Sequence, residues 1–293
     1  MKVLIFGGTG LLGSEIALRL KSDGKTVRSV NRRISPEIDI DQTLGDIGHP
    51  ETYRELVSDW RPEIVIQCAW VTDQTRYRND PSNALYAQHT LDLAEHCFQS
   101  GTNHFVALGS SAEYGTPEFP CNAAISKPDP QDLYSEQKVR TYAGLHELAD
   151  SYSRRLTWGR VFQPYGRRQD PARLIPSAAR KLTAKEEFRI TNPDVVLDWI
   201  TSRDVANAIS FSVKHDLPEI IDIGTTVGVS VIEVLLAVAT LVGADSSLIQ
   251  YSSSNGSGQQ SQTLVVSKES PLFKFGWNPQ DDLASGLPWA LSL

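Results

Sequence analysis

The 293-residue chain holds only three cysteines, Cys68, Cys97 and Cys121. They are too few and too scattered for a disulfide framework or a thiolate metal site. A reducing compartment suits such a chain, and the cytoplasm is the expected location. Metal-ligand clusters are missing as well. His89, His96 and Cys97 share one predicted helix, but the two histidines lie two turns apart with no carboxylate on their face, so helix packing accounts for them and no metal is expected. No uncharged apolar run approaches the roughly 20 residues that span a bilayer. The opening Met1-Lys2-Val3-Leu4-Ile5-Phe6 turns to glycine before an apolar signal segment develops, so no signal peptide is expected. An excess of basic residues is also lacking. The net charge of −7 argues against nucleic acid as the main partner, because phosphate neutralisation needs clustered Lys and Arg. A local basic pocket for a phosphorylated ligand remains compatible with it.

What the chain does have is alternation. Short β-branched runs at Val3–Phe6, Thr26–Val30, Ile64–Gln67 and His104–Leu108 are separated by amphipathic stretches at Leu11–Lys21, Thr52–Ser58, Ser82–Gln99 and Gln131–Asp150. That rhythm predicts βαβ units and a doubly wound parallel sheet with helices on both faces, an α/β fold. Beyond Arg160 it loosens. Pro164, Pro171, Pro176 and Pro193 punctuate short segments, followed by a helix at Arg203–Val213, a strand at Ile220–Ile223 and an apolar helix at Ser230–Val242. Residues 252–262 read as a polar, flexible loop. Residues 1–163, with 200–224 returning to the sheet, are expected to form a Rossmann-type dinucleotide-binding domain. Residues 164–199 and 225–293 are expected to form a smaller C-terminal substrate-binding lobe.

The sharpest local signal is Gly7-Gly8-Thr9-Gly10-Leu11-Leu12-Gly13, between a predicted strand and a predicted helix. Glycines at these spacings allow a tight turn, close approach of a pyrophosphate to the backbone, and close packing of helix on strand. The unpaired N–H groups of the helix start would then face the phosphate. Gly7, Thr9, Gly10, Leu11, Leu12 and Gly13 are therefore candidate dinucleotide ligands. The second strand ends Val30-Asn31-Arg32-Arg33 with no acid to accept from a ribose 2′-hydroxyl. Two guanidiniums suit a 2′-phosphate. Asn31, Arg32 and Arg33 thus point to NADP, with NAD possible.

Of the nine tyrosines, only Tyr134 has a lysine four residues later, Lys138. On a helix this spacing puts both side chains on one face. A phenol is a poor proton carrier at neutral pH, and a neighbouring ammonium favours its ionised form.

Together, the Gly7/Gly10/Gly13 turn, Ser110-Ser111-Ala112-Glu113-Tyr114-Gly115, and Tyr134/Lys138 resemble the extended short-chain dehydrogenase/reductases, the NAD-dependent epimerase/dehydratase family. Arg160-Val161-Phe162-Gln163-Pro164-Tyr165-Gly166, Asp198-Trp199-Ile200 with Asp204-Val205-Ala206, and Phe275-Gly276-Trp277-Asn278-Pro279 continue the likeness in order. The resemblance implies Tyr134 as general acid/base, and Lys138 as partner of the nicotinamide ribose that also lowers the Tyr134 pKa. It implies Ser110 as holder of the reacting oxygen, with Ser111 as the substitute candidate. Asp46 and Ile47 would meet the adenine, and Ala69, Trp70 and Val161 would line the cofactor. Thr72, Gln163 and Arg173 would face the substrate.

Two departures bear on the substrate. Leu197 stands where nucleotide-sugar members carry a diphosphate-gripping Arg, and no second Arg occurs between Tyr251 and Lys268. Arg167, Arg168 and Arg173 are the replacement candidates. Ser111 and Ala112 also replace the acidic pair of the 4,6-dehydratases, with Glu113 one residue on. The resemblance and the Arg pair imply an NADP-dependent keto-sugar reductase acting on a nucleotide-linked 4-keto-6-deoxyhexose. The alternatives are a nucleotide-sugar epimerase, a non-sugar ketoreductase, or a non-catalytic dinucleotide-binding regulator. Apolar residues on more than one face of Ser82–Gln99 and the family's habit of pairing imply a homodimer.

Overall fold

In the computed structural model, residues 1–71, 73, 75–118, 120–251 and 263–293 are described. Thr72 and the predicted polar loop 252–262 lie outside them. The first half runs β1 (Lys2–Phe6), α1 (Leu11–Ser22), β2 (Thr26–Asn31), β3 (Asp41–Leu44), α2 (Arg54–Trp60), β4 (Ile64–Gln67), α3 (Ser82–Gln99), β5 (His104–Ser110), α4 (Leu133–Ser151) and β6 (Arg155–Val161). The second half runs β7 (Gln163–Tyr165), α5 (Leu174–Thr183), β8 (Phe188–Ile190), β9 (Val196–Thr201), α6 (Ser202–Lys214), β10 (Ile220–Ile223), β11 (Gly228–Ser230), α7 (Val231–Leu241), β12 (Ile249–Tyr251), β13 (Thr263–Leu264), α8 (Pro271–Lys274) and α9 (Leu283–Leu291).

Seven parallel strands form the main sheet in the order β10-β6-β5-β4-β1-β2-β3. Because side chains alternate along a strand, β1 feeds two cores. Val3 and Ile5 meet Ile16 and Leu20 of α1 and Val205 and Ile209 of α6. Leu4 and Phe6 meet Leu93 and Phe98 of α3 and Leu145 of α4. A strand buried on both faces needs an unbroken apolar run, which Val3–Phe6 supplies. Each such side chain contributes about 1.5–3 kcal/mol on burial. The order reverses between β1 and β4, and the crevice outside the carboxyl ends at such a reversal is where open α/β sheets take ligands.

Pro176 does not break structure. It sits in the first turn of α5, where its missing N–H has no helical acceptor to lose. β9 organises a second sheet, pairing with β7, β11 and β13, while β8 pairs with β12. Two buried carboxylates pin this half together. Asp198 accepts from the backbone N–H groups of Thr226 (2.9 Å) and Val266 (3.1 Å). Asp204 accepts from those of Gln280 (3.0 Å) and Asp281 (2.9 Å). Among the described residues, no helix is long and apolar enough to cross a membrane.

Candidate active site

The turn after β1 has the geometry its glycines allow. Gly7 adopts φ 81°, a left-handed conformation, and a Cβ on Gly13 would collide with the Gly7 carbonyl oxygen, so α1 packs directly on the turn. The turn opens onto a cleft of about 490 Å³. Gly7, Thr9, Gly10, Asn31, Arg32, Arg33, Asp46, Ile47, Ala69 and Trp70 line it, together with Phe6, Val30, Gly45, Cys68 and Tyr86. Leu11, Leu12 and Gly13 begin α1 and do not line it, and Val161 is buried in the core.

Residues at the β2 exit are suited to an anionic ligand. Arg32 and Arg33 are both exposed, and among the described residues neither makes an ion pair. Arg32 reaches only the Tyr86 hydroxyl, at 3.5 Å. Asn31 is buried with its Nδ2 donating to Ser29 Oγ at 2.7 Å, while its Oδ1 has no partner among the described residues. An orphaned acceptor in a cleft wall fits a ligand hydroxyl, since a buried acceptor without a donor is costly.

Tyr134 stands in the first turn of α4, which Asp132 caps through the Ser135 N–H at 2.8 Å. Arg78 fixes that cap by bonding Asp132 at 2.6 Å, and Tyr77 packs edge-on against Tyr134 with ring centroids 5.1 Å apart. The Ser110 side chain is within hydrogen-bonding reach of the Tyr134 phenol. Ser111 is buried, and of the two serines Ser110 is the one whose hydroxyl acts on the phenol. Burial pushes the Tyr134 pKa above the ordinary phenol value, and the Ser110 hydrogen bond and the Arg173 charge oppose that rise.

Lys138 rests on neighbours other than the phenol. Its ammonium donates to the Leu108 carbonyl at 2.7 Å and lies 3.5 Å from the Trp70 ring centroid, against 5.8 Å from the Tyr134 ring. Its own pKa is pushed down to about 7 by burial, against the opposing charge of Glu113. Through Trp70, Lys138 adjoins the cleft.

The candidate substrate residues divide. Arg173 stands at the N-terminal end of α5 and its charge acts on Tyr134, and Gln163 opens β7. Arg167 and Arg168 act on Glu15 of α1 instead. Leu197 packs into apolar clusters from β9.

Sequence reasoning missed the floor of the site. Glu113 is fully buried and bonds Arg160 Nε at 2.7 Å, Trp158 Nε1 at 3.1 Å and the Ser110 N–H at 2.8 Å. The acid beside Ser110 and the Arg of the Arg160–Gly166 motif were both visible, but nothing in their spacing joined them.

A dinucleotide-type cleft at the strand-order reversal, with Ser110 and Tyr134 facing each other and Lys138 one helical turn on, defines the short-chain dehydrogenase/reductase class. The chain belongs to the NAD dependent epimerase/dehydratase family, whose model matches residues 3–224. It is 25% identical to UDP-glucose 4-epimerase of Rhizobium meliloti (strain 1021), over 97% of this chain and 94% of that protein. It is 26% identical to dTDP-4-dehydrorhamnose reductase of Escherichia coli, over 47% of this chain and 44% of that one. The crystal structure of Thermus thermophilus UDP-glucose 4-epimerase in complex with NAD shares the fold. Its TM-score is 0.86 at 24% identity, covering 100% of this chain and 98% of the other.

Proposed function

We propose that the protein is an NADP-dependent reductase of a keto group on a sugar, a nucleotide-linked 4-keto-6-deoxyhexose. The observation that carries this reading is the exposed Arg32/Arg33 couple, without an ion pair among the described residues, on the wall of a cleft that adjoins Tyr134 through Trp70 and Lys138. A bound nicotinamide dinucleotide supplies the two-electron chemistry. Gly7, Thr9 and Gly10 hold its pyrophosphate, and Arg32 and Arg33 its 2′-phosphate. Asp46, Ile47, Ala69 and Trp70 flank the rest.

Tyr134 donates the proton to the substrate carbonyl oxygen, which Ser110 orients, and Lys138 turns to the ribose. A phenol raised by burial starts protonated, which suits a general acid in the reductive direction. Gln163 and Arg173 face the substrate. Dehydration is disfavoured, because Glu113 is engaged by Arg160, Trp158 and Ser110 and cannot turn to a sugar carbon. We take residues 1–163 with 200–224 as the cofactor lobe and the remainder as the substrate lobe, in a cytoplasmic homodimer.

One second reading has support. The likeness to UDP-glucose 4-epimerase runs nearly end to end, and Asn31 Oδ1 could accept from a 2′-hydroxyl, so a 4-epimerase with tightly held NAD uses the same residues. The test is to titrate NADPH and NADH and then supply a 4-keto-6-deoxy nucleotide sugar and UDP-glucose separately. Stoichiometric NADPH oxidation on the keto sugar supports the reductase. UDP-galactose formed without net cofactor consumption overturns it in favour of the epimerase.

A further inference from the structure

Glu113 lies three residues past Ser110, in the single 3-10 turn that follows β5. It is fully buried, yet among the described residues every group bonded to its carboxylate is a donor. These are the Ser110 N–H (2.8 Å), the Trp158 indole N–H (3.1 and 3.2 Å to its two oxygens) and Arg160 Nε (2.7 Å). A carboxylic acid needs an acceptor for its own proton, so a set made only of donors fits the ionised form. The backbone is shaped around it. A Cβ on Gly109 would lie 2.5 Å from Glu113 Oε1 and would collide with the Trp158 indole nitrogen. Arg160 carries the chain onward to Tyr114 Oη at 2.8 Å, which donates to Asp222 at 2.7 Å, and Asp222 accepts from Ser270 at 2.8 Å. The Ser110 turn is thereby tied through buried polar bonds to β6, β10 and the start of α8.

We propose that Glu113 is a positioning residue for the reaction: its carboxylate, through the Ser110 N–H, fixes the backbone from which Ser110 projects. This rests on the catalytic reading of Ser110, Tyr134 and Lys138 given above.

The experiment compares the wild type with Glu113→Gln, Glu113→Asp and the double variant Glu113→Gln/Arg160→Met. It reads melting temperature, NADPH affinity and kcat. Glu113→Gln alone strands a buried guanidinium and should melt far below the wild type; the double variant removes both charges and keeps an oxygen for the Ser110 N–H. In the double variant we expect NADPH affinity near the wild-type value and kcat lowered about tenfold or more. Glu113→Asp keeps the charge but shortens the reach to the Ser110 N–H, so NADPH affinity should hold while kcat falls, by less than in the double variant. A folded double variant with the wild-type kcat overturns the proposal. If instead the wild type binds no dinucleotide, or Lys138→Met leaves its binding unchanged, the catalytic reading itself is what fails.

Discussion

The Lys138 ammonium rests 3.5 Å from the centroid of the Trp70 ring and donates to the Leu108 carbonyl at 2.7 Å. Burial in this nest lowers its pKa from 10.5 to about 7. NADPH affinity that depends on the ammonium should therefore be greatest on the acid side and fall as the pH rises through neutrality. Lys138→Met should bind weakly with a flat profile. The linkage to stability has the opposite sense: above about 7 the unfolded chain holds a proton that the free folded protein has released, so Lys138 makes stability rise with pH towards 10.5. Fluorescence titration and thermal melts across pH check both.

Cofactor choice should reside at the β2 exit. Replacing both Arg32 and Arg33 by uncharged residues should cost NADPH binding about 2–4 kcal/mol, from two charge-assisted contacts with imperfect additivity. NADH binding should scarcely change, because it has no 2′-phosphate to lose. Calorimetric titration of the two cofactors measures the difference directly. Equal affinity of the unmutated protein for NADH and NADPH would contradict the assignment.

Gly13→Ala should damage fold and site together. The added methyl collides with the Gly7 carbonyl oxygen, which is backbone and cannot swing aside. We expect a loss of about 1–3 kcal/mol in stability from forced overpacking, accompanied by weaker dinucleotide binding. Gly24→Ala is the control for the binding readout: nothing lies within 4 Å of its added Cβ, although its φ of +76° carries backbone strain. A Gly13→Ala variant that binds NADPH like the wild type would show that the turn does not hold the pyrophosphate.

The sheet was legible wherever strands are apolar on both faces. Val3–Phe6 and Ile64–Gln67 read as strands because nothing polar interrupts them. β6 escaped notice because it carries Arg155, Thr157, Gly159 and Arg160, and a buried guanidinium is tolerable only when a distant carboxylate neutralises it. β3, with Asp41, Gln42 and Thr43, is a polar edge strand without an apolar pattern. In the site, the glycine turn and Tyr134/Lys138 stood out because their spacings are local. Tyr77 on Tyr134, Trp70 on Lys138 and Arg160 on Glu113 are contacts between segments far apart in the chain, and no local spacing encodes them.

Assembly is open to a simple check. Leu85 on α3 is 59% exposed, on a helix whose other face already packs against α4. A homodimer through these two helices should cover it, giving twice the 32.3 kDa chain mass by light scattering at micromolar concentration. A monomeric mass would count against the dimer.

The central claim is that the Tyr134 phenol delivers the proton. The direct measurement is the rate of NADPH oxidation on a 4-keto-6-deoxy nucleotide sugar by the wild type and by Tyr134→Phe, with NADPH affinity measured alongside. Losing the hydroxyl while keeping the ring should leave affinity almost unchanged and cut turnover by roughly 10²–10⁴-fold. A Tyr134→Phe enzyme that turns over at the wild-type rate would contradict the account.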